Sequence, residues 1–422
     1  MNAARLSLWP SQPAVFLPGF MFLLALGLRV AFIHHWGSTL TIQSDDIGYI
    51  ESARRLAEDH VFSYWRPRLS PAPALGPTAY ITPGYPVFLA VFDWLFGGGS
   101  RALAAARYAQ AVVSSSGIFL VYRLGEHFGG RWAGFLASAL CAFYPPFILF
   151  SGLLLTETVF TFLLLLFVYL WLKIRPFSAR GYVLMGAVAG LATLVRPTGA
   201  ALVVTAAGAA AWYGLSRDKN KRLGAAAAGF ALVLAFCLTL SPWWVRNAVV
   251  FHRFIPLSEG GGNPLLLGTY VNLEGIKHGW HSSWPVGKDP METSRLHALL
   301  AKKRIKEGFK REFPRYLNWY TRSKFKLLWG KVCLWGGEGK LPAGFTIYIH
   351  YFLLLAGSLG LTCSLVRRLP GAGRVLGILA VFTVVHLVTY AHCRYALPLL
   401  PLLAGFAFVP LSQLITLKGS IR

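Results

Sequence analysis

Apolar residues in this chain are gathered into long runs, separated by short stretches rich in Gly, Pro and charged residues. A helix needs about 20 apolar residues to cross a bilayer, and runs of about this length recur along the chain. They predict about ten membrane-spanning helices, at 13–34, 102–122, 132–150, 154–172, 181–196, 198–214, 223–241, 345–366, 375–391 and 396–417. The pattern therefore predicts an all-α protein, a polytopic bundle of transmembrane helices.

A shorter apolar run, 83–96, is interrupted by Pro86 and Asp93 and has about 14 residues, the length of an interfacial or re-entrant segment. Lys and Arg in short loops stay on the cytoplasmic side. If 83–96 does not cross, nearly all such residues fall on the side of the two termini, which we therefore place in the cytoplasm. Arg196 and Arg394 are then the only cations in short outer loops.

Two long segments, 35–101 and 242–344, remain on the outer side. They divide the chain into an N-terminal transmembrane module with the first outer loop, an external basic loop with amphipathic helices, and C-terminal transmembrane helices, at 1–241, 242–344 and 345–422. The second segment carries 17 Lys and Arg against 7 Asp and Glu. Apolar residues recur every four positions over 295–331, which predicts a basic amphipathic helix with a break at Pro314.

Composition narrows the class of protein further. Of the 422 residues, 55% are hydrophobic and only 14% are charged, whereas soluble domains carry about 25% charged residues. Soluble, disordered and disulfide-stapled classes are therefore excluded. The formal net charge of +25 would suit nucleic acid, but the basic segment is predicted outside, so we expect anionic lipid or an anionic acceptor and no nucleic acid.

Acidic residues stand at two predicted outer positions. Asp45 and Asp46 follow the first span at the start of a short helix that Ser44 can cap. Two adjacent carboxylates there either complement the helix dipole or act in catalysis. Glu157 lies at the mouth of a long apolar run, where it either reaches water or faces the same cavity as Asp45.

The guanidinium group of arginine presents a planar fork of donors that suits phosphate. Arg196 and Arg394 therefore either grip an anionic head group or extend along the bilayer to its interface. Arg246 is interpreted in the same way, although its neighbouring Trp pair also suits an interfacial aromatic belt. The residues expected to contact such a head group are Arg196, Arg394, Tyr395, Arg246 and His392.

Metal-binding spacings such as CxxC do not occur among the five cysteines, which are Cys141, Cys237, Cys333, Cys363 and Cys393. His278 and His281 have no nearby carboxylate to complete a metal triad. We therefore predict no metal site, with a Cys333–Cys393 disulfide as a weaker alternative. No cofactor can be assigned from the sequence, and a divalent cation stays an alternative.

Six segments resemble, in order, the landmarks of the GT-C class of membrane glycosyltransferases. They are SDDIGYIESARRLAE, TPGYPVFLAVFDWLFG, YPPFILFSGLLLTETVF, GLATLVRPTG, SPWWVRNAVVFHRF and RYALPLLP. The nearest branch is the bacterial one related to the lipid A aminoarabinose transferases and the protein O-mannosyltransferases. The resemblance extends from Asp45 to Pro401, although the Lys-Pro pair of the aminoarabinose transferases is absent near Thr82.

The resemblance implies a GT-C bundle with external juxtamembrane helices and a catalytic acid in the first outer loop. Asp45 matches that aspartate, Asp46 matches the acid that often follows it, and Glu157 matches the acid of the second outer loop. The implied reaction is inverting transfer of a sugar from a polyprenyl-phosphate donor to an acceptor hydroxyl of a lipid, glycan or protein. The implied location is the bacterial inner membrane, with the active site on the periplasmic face.

Two other functions stay open. A lipid-linked glycan transporter or flippase would also need many helices and cations facing phosphate, but neither repeat symmetry nor acids in the middle of spans are evident. A polysaccharide polymerase or ligase would use outer arginines and depend less on the pair Asp45 and Asp46.

Overall fold

The computed structural model describes residues 12–65, 76–215, 218–276 and 281–411. Within these ranges all regular structure is helical and no strand occurs. The α-helices are α1 (Gln12–Trp36), α2 (Asp45–Glu58), α3 (Gly84–Phe96), α4 (Gly99–Phe143), α5 (Pro145–Gly152), α6 (Glu157–Lys173), α7 (Ala179–Val195), α8 (Ala200–Gly214), α9 (Lys219–Phe251), α10 (Gly262–Leu267), α11 (Pro290–Arg311), α12 (Phe313–Asn318), α13 (Lys324–Trp329), α14 (Ala343–Val366), α15 (Ala372–Val388), α16 (Cys393–Ala396) and α17 (Leu400–Ala404). Short 3₁₀ turns lie at Gly37–Thr39, Pro197–Gly199, Val271–Leu273 and Leu397–Leu399, and a π turn lies at Trp319–Ser323.

The predicted all-α architecture is confirmed. Four helical stretches among the described residues are long and apolar enough to cross a membrane, namely Phe16–Thr39, Lys219–Phe251, Ala343–Val366 and Cys393–Leu411. A fifth can be formed by α4 and α5 together, which meet at a bend of 56°. Shorter apolar helices are Gly84–Phe96, Ala179–Val195, Pro197–Trp212 and Ala372–Val388. The count of ten spans and the division into three parts stay predictions.

Helix α4 reverses direction at Gly130, whose φ of +80° and ψ of 178° are strained for residues other than glycine. A Cβ atom on Gly134 would lie 2.5 Å from the Tyr122 carbonyl oxygen, and one on Gly125 would lie 2.9 Å from Gly134 Cα. The two arms of α4 therefore pack closely against each other through glycines. These arms correspond to the predicted runs 102–122 and 132–150.

Neighbouring helices pack in a chain across the bundle, with α1 against α4, α4 against α6, α6 against α7 and α7 against α9. The connections after α1, before α6, after α7 and after α15 come together, because charged side chains from each of them are in contact. Helix α3, which covers the short run 83–96, packs against α2 and α7. A Cβ on Gly84 would lie 2.6 Å from the Leu194 backbone, so only glycine allows this approach beside Arg196.

The predicted amphipathic helix over 295–331 is present and is interrupted where Pro314 required it. Helix α11 ends at Arg311 and α12 begins at Phe313. The basic face is partly used for packing inside the protein, since the guanidinium of Arg304 lies 3.9 Å from the centre of the Tyr270 ring. Lys324 is fully buried.

Candidate functional site

Asp46 organises the loop that precedes α2. Its carboxylate accepts hydrogen bonds from Thr41 Oγ1 at 2.5 Å, from the Ile42 amide at 2.9 Å and from the Ser44 amide at 2.9 Å. The side chain is buried, so these contacts replace water as partners of its charge. Asp46 therefore fixes the loop 41–44 and directs its neighbour Asp45 away from the loop.

Asp45, the first residue of α2, pairs with Arg394 from the other end of the chain. Arg394 Nη2 lies 2.6 Å from Asp45 Oδ2. Arg394 belongs to the short helix α16, and its guanidinium also lies near the rings of Trp335 and Tyr395, at 5.5 and 5.4 Å. Its Nη1 is buried and has no hydrogen-bond partner among the described residues.

Glu157 joins two arginines in the interior of the site. It is the first residue of α6, where the helix dipole favours a carboxylate. Glu157 Oε1 lies 3.1 Å from Arg196 Nη2 and 3.0 Å from Arg394 Nε. The Tyr395 ring lies 5.1 Å from the Arg196 guanidinium and therefore contacts both cations of the cluster.

We call Asp45, Glu157, Arg196 and Arg394 the charged cluster. Its two carboxylates and two guanidiniums balance in charge, which makes the burial of all four tolerable. Exposure of the side chains differs within it, at 19% for Asp45, 11% for Arg196, 8% for Arg394 and 1% for Glu157. A substrate can therefore reach Asp45 and Arg196 directly, whereas Glu157 is covered.

Tyr49, which is not among the predicted site residues, also faces the charged cluster. Burial raises the pKa of its phenol, and the nearby Asp45 charge raises it further. The group therefore stays protonated and can donate a hydrogen bond at neutral pH. The signal in the sequence was its spacing, because residues four apart on a helix share one face, as Asp45 and Tyr49 do on α2.

Arg107 of α4 connects the two segments that carry the acids. Its Nε donates to the Gly152 carbonyl at 3.0 Å, and its Nη2 donates to the Leu40 carbonyl at 3.2 Å. Gln110, one turn further along, donates to the Leu153 carbonyl at 2.8 Å and accepts from Tyr85 Oη at 2.8 Å. These contacts hold the segment before Asp45 and the segment before Glu157 against one surface of α4.

Arg246 is not part of the charged cluster. Its Nη1 donates to the Thr78 carbonyl at 2.9 Å and its Nη2 to the Phe62 carbonyl at 3.0 Å. The guanidinium also lies over the Trp243 ring at 5.1 Å. These contacts tie the first outer segment to α9. The predicted contact of Arg246 with phosphate stays a prediction.

A small cavity lies between Glu157 and Arg29 of α1, lined mainly by apolar side chains of α4 and α6. Its volume of about 30 Å³ has room for about two water molecules. Arg29 is fully buried and donates to Ser114 Oγ at 2.8 Å and to the Ala25 carbonyl at 3.1 Å. A cavity of this volume is too small for a sugar ring.

Two cysteines and a histidine lie together beside Arg394. Cys333 Sγ, Cys393 Sγ and a ring nitrogen of His392 all lie within 4.8 Å of one another. All five cysteines of the chain are free thiols in the structure. Cys333 is distant in sequence from His392 and Cys393, so no spacing along the chain indicated this grouping.

The sequence and the fold both have relatives among known proteins. Residues 80–243 match the family model of the dolichyl-phosphate-mannose-protein mannosyltransferases. This segment contains Glu157 and Arg196 but neither Asp45 nor Arg394. No curated protein sequence matches the chain.

Among solved structures, the oligosaccharyltransferase of Archaeoglobus fulgidus tethered to an acceptor peptide is 13% identical, with a TM-score of 0.58 over 97% of this chain and 51% of that chain. The same organism's oligosaccharyltransferase AglB, in complex with an inhibitory peptide and a dolichol-phosphate, is 13% identical. Its TM-score is 0.55 over 97% of this chain and 52% of that chain. The chain has the GT-C glycosyltransferase fold. It spans about half the length of the archaeal enzyme. ArnT from Cupriavidus metallidurans bound to undecaprenyl phosphate is 15% identical, with a TM-score of 0.39 over 92% of this chain and 77% of that chain.

The long apolar helices make this an integral membrane protein. Within the GT-C fold, the predicted residues Asp45, Glu157, Arg196 and Arg394 meet in the charged cluster, and Tyr395 contacts it. His392 lies next to it, where its Nδ1 accepts the Arg394 backbone N–H at 3.3 Å.

Proposed function

We propose that this protein is a glycosyltransferase that moves a sugar from a polyprenyl-phosphate donor to an acceptor hydroxyl. The observation that carries the proposal is the contact of Asp45, an accessible carboxylate, with Arg394, which has a buried unpaired donor. A transferase of this kind needs a base for the acceptor and cations for the departing phosphate. The charged cluster supplies both within one GT-C bundle.

Asp45 is the proposed general base. Its carboxylate accepts the proton of the acceptor hydroxyl while the hydroxyl oxygen forms a bond to the anomeric carbon. The bond between that carbon and the phosphate oxygen breaks on the opposite face, so the configuration inverts. The products are the glycosylated acceptor and polyprenyl phosphate, which keeps the bonding electrons.

Arg394 and Arg196 are the proposed phosphate ligands. Arg394 Nη1 is a buried donor without a partner among the described residues, and a phosphate oxygen would satisfy it. Arg196 is partly exposed and forms an ion pair with Glu157, the same carboxylate that contacts Arg394. The two guanidiniums would stabilise the charge that grows on the phosphate as the sugar leaves.

The remaining predicted residues position these groups. Glu157 holds both guanidiniums through one oxygen, and Asp46 holds the loop that presents Asp45. Tyr395 packs against both arginines. His392 accepts the backbone N–H of Arg394 and thereby starts helix α16.

A divalent cation does not fit between the two acids of the charged cluster. Arg394 already occupies the space between Asp45 and Glu157, with nitrogen atoms 2.6 and 3.0 Å from them. A metal ion there would face two guanidiniums at close range. The proposed transfer therefore uses no metal ion at this position.

We place the site on the periplasmic face of a bacterial inner membrane, in agreement with the distribution of Lys and Arg in short loops. The archaeal relatives hold a dolichol-phosphate and peptides. A lipid-linked phosphate donor is consistent with this, and so is a polypeptide as one of the three expected classes of acceptor, which are lipid, glycan and protein. A cysteine introduced after residue 98 should react, in intact cells, with a thiol label that reaches the periplasm but cannot cross the inner membrane.

The activity is tested with the purified full chain in lipid nanodiscs and a panel of synthetic polyprenyl-phosphate hexoses and pentoses. Release of polyprenyl phosphate, followed by mass spectrometry, reports cleavage of the donor with or without an acceptor. We expect at least one donor to be consumed by the wild type. Asp45→Asn should lower the rate about 10²-fold or more.

Glu51→Gln is the matched control, because Glu51 lies on the same helix and forms an exposed ion pair with Arg54. It should keep the wild-type rate. If no donor of the panel is cleaved, or if Asp45→Asn cleaves as fast as Glu51→Gln, the proposal fails.

A further inference from the structure

We propose that Cys333, His392 and Cys393 form a binding site for a thiophilic metal ion of tetrahedral preference, with Zn²⁺ as the expected occupant. One ligand atom from each residue lies within 4.8 Å of the other two. Cys393 Sγ and His392 Nδ1 are 3.7 Å apart. This site is distinct from the charged cluster and does not depend on the proposed transferase activity.

The separation of the ligand atoms agrees with a tetrahedral ion. With Zn–S near 2.3 Å and Zn–N near 2.0 Å, neighbouring ligand atoms lie about 3.5–3.8 Å apart. The measured distance between Cys393 Sγ and His392 Nδ1 falls in this range. Three protein ligands leave a fourth position for water or a small ligand, as in other three-ligand zinc sites.

The charge of the site also favours this class of ion. Cys333 is buried and the other two residues are half-buried, so a bound ion would be largely shielded from water. Two thiolates would neutralise a divalent cation, so the loaded site adds no net charge beside Arg394. Arg394 in turn is already balanced by the two acids of the charged cluster.

Binding requires one rearrangement within the site. His392 Nδ1 accepts the backbone N–H of Arg394 at 3.3 Å, a long hydrogen bond. A metal would use the same lone pair, so this weak contact would be exchanged for coordination. The other ring nitrogen of His392 would then carry the proton.

The ion would tie two parts of the chain that cover the charged cluster. Cys333 belongs to the loop between α13 and α14, and its neighbour Trp335 lies over the Arg394 guanidinium at 5.5 Å. In the same loop Gly336 has a φ of +80°, and a Cβ there would lie 2.8 Å from the Ile42 side chain. The loop therefore packs on the segment before Asp45, and metal at Cys333 would anchor it to the segment that carries Arg394.

Cobalt titration of the reduced, metal-free full chain in detergent tests the proposal. Tetrahedral Co²⁺ with thiolate ligands gives visible ligand-field bands and a near-ultraviolet charge-transfer band. We expect these bands to saturate at one Co²⁺ per chain and to disappear when Zn²⁺ is added. Cys333→Ser and Cys393→Ser should each abolish them, and His392→Ala should weaken binding about tenfold or more.

Cys237→Ser and Cys363→Ser are matched controls from helices α9 and α14 and should bind Co²⁺ as the wild type does. A second measurement needs no variant: Zn²⁺ should protect Cys333 and Cys393 of the wild type from alkylation and leave Cys237 and Cys363 reactive. The proposal is overturned if the reduced wild type binds no Co²⁺ and Zn²⁺ protects neither thiol.

Discussion

Arg394 Nη2 lies 2.6 Å from Asp45 Oδ2, although the two residues are 349 positions apart in the chain. The contact joins the loop after the first helix to the segment before the last helices, so both ends of the described chain build one site. It also means that the proposed base and the proposed phosphate ligand are partners before any donor is bound. A donor phosphate would have to share Arg394 with Asp45.

Arg394→Lys should lower turnover nearly as far as Arg394→Met does, by about 10²-fold or more. Lysine keeps the charge but cannot reach Asp45, Glu157 and a phosphate oxygen through one planar group. Steady-state transfer against donor concentration in nanodiscs provides the measurement.

The matched control for this substitution is Arg54→Lys, because Arg54 forms only exposed ion pairs on α2. Arg54→Lys should leave the turnover number and the KM for the donor unchanged. Wild-type kinetics in Arg394→Lys would show that Arg394 is not a phosphate ligand.

Asp46→Asn should destabilise the protein more than it impairs chemistry. The asparagine oxygen cannot replace both carboxylate oxygens that accept from Thr41, Ile42 and Ser44. We expect a loss of about 1–3 kcal/mol in the free energy of unfolding and a fall in turnover of less than about tenfold. Denaturant unfolding in detergent and turnover of the folded protein are compared. A fully stable but inactive Asp46→Asn would make Asp46 the base.

Glu157→Gln should lower the free energy of unfolding by about 3 kcal/mol or more, because the buried Arg394 and the partly exposed Arg196 lose their shared carboxylate. Adding Arg196→Met should cost less in the Glu157→Gln background than in the wild type, since the ion pair is already lost. A double-mutant cycle on unfolding free energies measures this coupling. Strictly additive effects would show that the contact of 3.1 Å between these residues carries no energy.

Lys324 should make stability depend on pH. Burial lowers the pKa of its ammonium to about 7, whereas in the unfolded chain the pKa is about 10.4. Between these values the unfolded state binds more protons, so the contribution of Lys324 to stability rises with pH and is lost as pH falls through 7. Lys324→Met should lack this slope.

The test for Lys324 is the melting temperature in detergent from pH 6 to pH 10. The advantage of the wild type over Lys324→Met should grow with pH across this range. Lys326→Met, two residues away on the same helix and exposed, should keep the wild-type slope. Parallel curves for the wild type and Lys324→Met would contradict the prediction.

Local features of the fold could be predicted because they depend on neighbouring residues. Apolar runs predicted the helices, and Pro314 predicted the break after α11. Ser44 stands at the N-cap position of α2 as expected, but its side chain makes no capping hydrogen bond there. Glu157 at the first position of α6 followed from the acid that precedes an apolar run. The sequence also indicated that acids and arginines would occur where helices begin and end.

Long-range partners could not be predicted, because nothing local specifies them. Arg246 has the same Trp-rich surroundings as an interfacial arginine, yet it binds the carbonyl oxygens of Phe62 and Thr78. Asp45 and Asp46 are indistinguishable by spacing, and only the fold separates the loop-binding acid from the acid that faces Arg394. Lys324 looks like one more cation of a basic surface, although the packing of α13 buries it.

The central claim is that Asp45 is the base and competes with the donor phosphate for Arg394. It is tested most directly by measuring, on Asp45→Asn in nanodiscs, both the affinity for undecaprenyl phosphate and the rate of sugar transfer. We expect tighter binding than in the wild type by a few-fold, because a negative charge beside Arg394 is removed, together with a rate that falls about 10²-fold or more. Weaker binding of undecaprenyl phosphate, or transfer at the wild-type rate, would contradict the account.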